Sequence, residues 1–322
     1  HLKLGEMIVN GEFPKINLFS YTNSNFPFLN HHWFSEVIFY WFFSLLGLQS
    51  VFALKIVLVV TAVSLVFWLA LRKANFFTAG MSVLIFTPFI AYRSSERPEL
   101  FGFALFAFLL ALLFGGLIKS RLKVYFLVFS VFVLWVNLHI SFVFGAAVFG
   151  FYLLRNFQKK RNFRGFLVAM PIFGALLINP HGLAQVLYPF RIFGNYGYKI
   201  VENQSLFFLL PRLNDPIYFY FLAVSLLSFT ILTFCFFKKR FNFEFFLFFM
   251  FSGLAFLAAR NFAFFACCCC CRAYCEVENV WPKIKDKLDP YKARALEYLL
   301  WGKLYSLPNN LTFWNLPHQS LT

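Results

Sequence analysis

Eight consecutive residues, Tyr92-Arg93-Ser94-Ser95-Glu96-Arg97-Pro98-Glu99, set two guanidinium groups and two carboxylates between long apolar runs. Guanidinium is planar, permanently charged and matched to phosphate by paired N–H donors, so Arg93 and Arg97 are candidate phosphate ligands. The plainer reading is a self-neutralising loop in which Arg93, Glu96, Arg97 and Glu99 pair with one another, and the sequence leaves both open. Ser94 or Ser95 can cap the helix that follows, with Pro98 in its first turn. Arg260-Asn261 divides two Phe-rich runs and adds a third candidate cation. Ionisable groups in such surroundings are costly and mark sites by default.

The segment Asn30-His31-His32-Trp33-Phe34-Ser35-Glu36 offers proton chemistry. If it is helical, His32 and Glu36 share a face at i, i+4 and can hold or pass a proton at a membrane surface. The plainer reading is an interfacial anchor, with Trp33, Tyr40 and Trp41 at headgroup depth. No metal site is expected. His31 and His32 diverge on a helix, and no second ligand pair at i, i+4 accompanies them. No cofactor is identified, and a divalent metal is left without support. Asn137-Leu138-His139 breaks an apolar stretch running from 124 to 154, and is expected where two short helices meet at a surface or cavity. Asn179-Pro180-His181-Gly182 reads as a turn, and Lys55 as a side chain that snorkels to the outer interface. The run Cys267–Cys271, with Cys275 beyond it, has no separate Cys-x-x-Cys pair and is given no role.

The elements that must carry these residues are set by composition. Of 322 residues 61% are hydrophobic and 13% charged, with mean hydropathy +0.70, whereas soluble domains have about 25% charged residues. This excludes a soluble enzyme, a disordered tail and a secreted disulfide scaffold. Apolar runs fall at 37–48, 51–71, 76–92, 99–118, 124–136, 140–154, 165–178, 216–237, 243–259 and 261–271. The expected fold is all-α, a polytopic transmembrane bundle of about eight to ten helices, some of them half-spans. Its parts are an outer loop at 1–36, a membrane domain at 37–275 and a polar tail at 276–322. The net charge of +16 has topological meaning here. Segments 72–75, 119–123, 155–164 and 238–242 hold thirteen Lys/Arg and no acid, while the alternate segments hold eight Lys/Arg and, with Glu99, seven acids. The positive-inside rule puts the first set in the cytoplasm. The unusual polar residues then share the outer side: His31, His32, Arg93, Glu96, Arg97, Asn137, His139, Asn179, His181, Glu202, Asn203 and Arg260.

In order along the chain, His1-Leu2, Gly5-Glu6, Ile8, Gly11, Pro14, Phe19-Ser20-Tyr21-Thr22, Asn30-His31, Trp33, Ser35-Glu36, Arg97-Pro98, Asn137-Leu138-His139, Asn179-Pro180, Gly182 and Arg260-Asn261 resemble a recurring bacterial membrane-protein pattern. Over about residues 1–265 this pattern is similar to the GT-C class of polytopic glycosyltransferases, which includes the protein O-mannosyltransferases. The resemblance implies sugar transfer from a polyprenyl-phosphate carrier to an acceptor on the outer face of a bacterial plasma membrane. It also implies an acidic base in the first outer loop and cations on the carrier phosphate. On this chain the candidate bases are Glu6, Glu36 and Glu96, the phosphate ligands Arg93, Arg97 and Arg260, and the polar support of the cavity His32, Asn137 and His139. The pattern has Glu where His32 stands and an acid a few positions before its opening His. The base is therefore also sought in a segment preceding His1, and the first residues of the sequence themselves show no secretory signal pattern. The expected partners are the bilayer, a polyprenyl-phosphate-linked sugar and an unidentified acceptor, with no nucleic acid. The rival readings are a transporter or flippase of a lipid-linked or anionic solute, and a non-catalytic assembly subunit.

Overall fold

A computed structural model of the chain describes residues 1–19, 27–160, 166–167, 169–191, 200–236 and 243–270. The basic stretch 238–242, Cys271, Cys275 and the polar segment 276–322 lie outside the described residues. Among the described residues the chain is all-helical, and its strand-like pairing is a lone bridge between Ile16 and Pro27.

The segment 1–36, expected as a loop, opens with a short helix, α1 (Leu2–Val9), which closes at Asn10 and Gly11. Gly11 has φ 85°, a left-handed conformation that suits glycine. Helix α2 (Trp33–Leu46) is separated from α3 (Leu48–Leu71) by Gly47 at φ 71°. Then come α4 (Phe76–Tyr92), α5 (Glu99–Phe114), α6 (Arg121–Leu138) and α7 (Phe142–Lys160). Asn75 caps α4 by accepting from the Thr78 N–H at 2.9 Å. Beyond a 3-10 segment at Met170–Leu177 lie α8 (Leu183–Arg191), α9 (Leu206–Leu209), α10 (Pro216–Phe236) and α11 (Phe243–Leu257). A 3-10 turn at Ala259–Asn261 leads into α12 (Phe262–Cys270).

Two helices, α3 with 24 residues and α6 with 18, are long and apolar enough to cross a membrane. At 1.5 Å per residue α3 is about 36 Å long, against roughly 30 Å of bilayer hydrocarbon. Its outward face carries Phe52, Ile56, Val57 and Val60, all at least half exposed. Around Asn137 the helices are longer than the apolar runs. Backbone hydrogen bonding carries α6 from Arg121 through Asn137 to Leu138, and α7 restarts at Phe142, so the polar break is a corner between two long helices. The expected Ser cap before α5 is also absent. Pro98 occupies the cap position, and the Ser94 hydroxyl donates back to the Ala91 carbonyl, closing α4 instead.

The interior is built from phenylalanine. Helix α12 packs against α3, α4, α5 and α11. Phe89 on α4 meets Phe221, Phe262 and Phe265 edge-to-face at 5.8–5.9 Å. Phe106 on α5 meets Phe251 and Phe264 at 5.1 and 5.3 Å, within the range aromatic pairs favour. Cys267, Cys268 and Cys269 are buried in the same core as small apolar groups.

The helix directions sort the chemistry. Lys55, near the start of α3, reaches Glu96 beyond the end of α4, and Trp33 at the start of α2 reaches Asn137 at the end of α6. Arg72 and Gly116 approach each other at the opposite end of α3 and α5. The Lys55–Glu96 and Trp33–Asn137 contacts and the Arg72–Gly116 approach therefore lie at opposite ends of these helices.

Candidate functional site

Glu36 lies in the first turn of α2 and is fully buried. Its Oε1 is 2.8 Å from the His1 Nδ1 and 3.3 Å from the His32 Nε2. Its Oε2 accepts from the Asn30 side-chain amide at 2.5 Å. His1 arrives because α1 lies across α2 at Gly5. A Cβ there would collide with the Glu36 carbonyl and the Tyr40 side chain, so only glycine permits this approach. The expected His32–Glu36 pair is present. Trp33 donates from Nε1 to the Asn137 Oδ1 at 2.9 Å, while Trp41 is the exposed aromatic of α2.

The second group surrounds Arg93. Its Nη2 donates to both oxygens of Glu99 at 2.8 Å, and its Nη1 donates to the Glu202 Oε2 at 2.9 Å. Arg97 donates to the same Glu202 oxygen at 2.8 Å. The local ion-pairing reading thus holds for Arg93 and Glu99. Glu96, however, pairs with Lys55 at 2.5 Å, so Lys55 is an ion-pair partner as well as a residue of the helix end. Burial opposes the charge on Arg93, but Glu99 and Glu202 outweigh it and raise the guanidinium's pKa. Burial likewise works against the Glu202 carboxylate, and Arg93, Arg97 and Arg260 together pull its pKa below the ordinary value. Arg260 donates to the Asn203 Oδ1 at 2.8 Å and has no carboxylate within ion-pair distance among the described residues. Burial lowers its pKa. The Arg93 Nε is buried with no acceptor among the described residues.

His139 joins the two groups. Its Nδ1 accepts from the Ser141 backbone N–H at 3.2 Å and lies 2.7 Å from the Ser141 hydroxyl, which also takes the Trp135 Nε1–H at 3.0 Å. This network assigns the ring proton to Nε2. Burial holds the pKa of His139 well below the ordinary value, and the charges of Arg260, His32, His31 and Arg93 push the same way. His31, edge-on to His32 at 4.3 Å, is lowered to about 3, first by burial and then by His32. Both rings are neutral at pH 7.

The structure thus gathers His32, Glu36, Arg93, Arg97, His139 and Arg260 at one end of the helices. Asn137 has a tethering position, donating to the Val133 and Ile178 carbonyls at 2.8 Å each. Glu6 is not brought in, since on α1 it pairs with Lys3 at 2.9 Å. The Asn179–Gly182 turn forms as expected, with Gly182 at φ 54° and Asn179 Oδ1 accepting from the His181 N–H. Sequence reasoning assigned no role to Glu202 or Asn203, although a carboxylate facing three outer arginines was a usable signal in so basic a chain. Three guanidiniums set against two carboxylates leave one positive charge in excess, a setting for a bound anion. Comparison with protein-family models, curated proteins and solved structures gives no match for the chain.

Proposed function

We propose that the chain is a polytopic membrane glycosyltransferase that moves a sugar from a polyprenyl-phosphate carrier to an acceptor on the outer, non-cytoplasmic face. The observation that carries the reading is Arg260, a largely buried guanidinium facing Glu99, Glu202 and two further arginines, with no carboxylate within ion-pair distance among the described residues. Arg260 and the half-exposed Arg97 hold the carrier phosphate, and Arg93, paired with Glu99 and Glu202, positions Arg97 through their shared Glu202 oxygen.

Two further features support a lipid carrier. One turn before Arg260, Phe256 lines an apolar groove of about 780 Å³ between α10 and α11, together with Phe219, Leu222, Phe229 and Phe249. An isoprenoid tail seated there would put its phosphate at Arg260. The segregation of basic connections from the polar cluster favours an outward site under the positive-inside rule. Of the three candidate acids, Glu96 is bound to Lys55 and Glu6 to Lys3. The His1–His32–Glu36 cluster is therefore the acceptor side of the reaction.

The test is transfer of radiolabelled sugar from polyprenyl-phosphate donors in membranes holding the full-length protein, with Arg260→Ala as control. Transfer that falls at least about 100-fold in the variant, as expected for loss of a charge-assisted phosphate contact, supports the reading. Transfer equal to wild type in both Arg97→Ala and Arg260→Ala, or no transfer by folded protein with any donor, removes it.

A further inference from the structure

We propose that His1, His32 and Glu36 bind one divalent transition-metal ion, with Zn²⁺ the best match to the donor set. The three ligand atoms lie within 4.8 Å of one another, and both imidazole nitrogens converge on one carboxylate oxygen at 2.8 and 3.3 Å. In a tetrahedral site with bonds of 2.0–2.2 Å, ligand atoms stand roughly 3.3 Å apart. Closing around an ion requires shifts of up to about 1.5 Å between ligand atoms.

Burial supplies the driving force. Glu36 is fully buried, yet among the described residues no Lys or Arg lies within ion-pair distance of it. Its neighbours are two imidazoles and one amide. A carboxylate out of water requires a cation or a proton. Two neutral imidazoles and a carboxylate are the set that divalent zinc takes with a position left open. The surroundings orient the ligands as metal sites require. Asn30 holds the Glu36 Oε2 and thereby directs Oε1 inward, the kind of supporting contact on which metal affinity depends. Access is provided beside His1, whose side chain is about one third exposed. A cavity of about 280 Å³ opens there, lined also by Phe39, Val51, Phe52 and Glu96. The sequence pattern showed only the His32–Glu36 pair, because the third ligand comes from a different helix through the Gly5 crossing.

The inference concerns the cluster that the sugar-transfer reading places on the acceptor side, but it is read from bound metal and not from activity, so either can fail without the other. The full chain, purified in nanodiscs and stripped with a chelator, is titrated with Zn²⁺ and its metal content counted by mass spectrometry. Co²⁺ loading is followed by its visible absorption. About one ion per chain is expected, with affinity falling at least roughly 100-fold in both His32→Ala and His1→Ala and about 10-fold in Asn30→Ala. His1 is partly exposed, so His1→Ala keeps the test decisive even if His32→Ala unfolds. Less than about a tenth of an ion per wild-type chain, or unchanged affinity in a folded His1→Ala protein, overturns the proposal.

Discussion

Arg93 and Glu202 are 109 residues apart in the chain, and their side chains meet at 2.9 Å. The same Glu202 oxygen takes Arg97 at 2.8 Å, so one carboxylate ties the long loop before α10 to the corner between α4 and α5. Arg93 is also bidentate to Glu99, and that pair is nearly inaccessible to water. Removing one member of a buried pair strands the other and costs about 3–5 kcal/mol. Glu99→Gln is therefore expected to destabilise by about 3 kcal/mol. Glu202, about a quarter exposed, is screened by solvent and leaves Arg93 its second partner, so Glu202→Gln is expected to cost about 1 kcal/mol. Unfolding in detergent, followed by denaturant titration, checks the order. A Glu202 variant less stable than the Glu99 variant would contradict this ranking.

Asn137 and Arg260 were both legible as polar interruptions of apolar sequence, yet they differ in kind. Asn137 spends its amide on Trp33, Val133 and Ile178, whereas among the described residues the Arg260 guanidinium hydrogen-bonds only to Asn203. Asn137→Ala abolishes three hydrogen bonds and is expected to destabilise by about 2–3 kcal/mol. Trp33→Phe removes one of the three and should cost about 1 kcal/mol. Arg260→Ala relieves an excess positive charge and should leave stability within about 1 kcal/mol of wild type while removing anion binding. Thermal shift measured with and without a polyprenyl phosphate separates the two. A ligand-induced shift that survives in the Arg260 variant would place the anion elsewhere.

Helical class, the corner at Asn137–His139 and the sharing of one end by the polar residues follow from hydropathy and charge spacing, which are local or alternating signals. The His32–Glu36 contact follows from i, i+4 geometry. What could not be read depends on segments brought together through space. His1 reaches Glu36 only because α1 forms within a segment that looks like a loop. Lys55 meets Glu96 only because α3 and α4 are antiparallel, and Glu202 reaches Arg93 only through the course of the long loop. The end of α6 was placed too early because Asn137 reads as a breaker, while in the folded chain its side-chain amide donates to the Val133 carbonyl one turn back.

The Gly5 crossing gives a prediction about positioning. An added methyl group there meets the backbone of α2, which cannot yield as a flexible side chain would, so Gly5→Ala must displace α1. Overpacking of this kind costs about 1–3 kcal/mol. Because α1 contributes little to the main core, the global unfolding midpoint should move slightly, while His1 withdraws from Glu36. Crosslinking between cysteines placed at Leu2 and Phe39, or amide exchange along α1, reports the displacement. Exchange rates along α1 equal to those of wild type would show that the crossing tolerates a side chain.

Protonation supplies the final prediction. The folded-state pKa of His139 lies well below its ordinary value, chiefly through burial and then through nearby Arg260, so the folded protein keeps this ring neutral where the unfolded chain takes up a proton. A depressed histidine pKa gives stability that is complete above the unfolded value of about 6.5 and is lost as pH falls below it. The slope is at most about 1.4 kcal/mol per pH unit for one proton. The depressed carboxylate of Glu202 has the same sign but acts only below about pH 4.5, so between pH 6.5 and 5 the loss belongs to the buried histidines. Unfolding of metal-stripped protein measured at pH 8, 7, 6 and 5 should show a plateau and then a fall. His139→Gln, which can still accept the Ser141 N–H through its carboxamide oxygen, should flatten the fall by up to about one proton's worth. An unchanged slope in that variant would mean that His139 is protonated equally in the folded and unfolded protein, and would remove the basis for a neutral imidazole between the arginine and histidine groups.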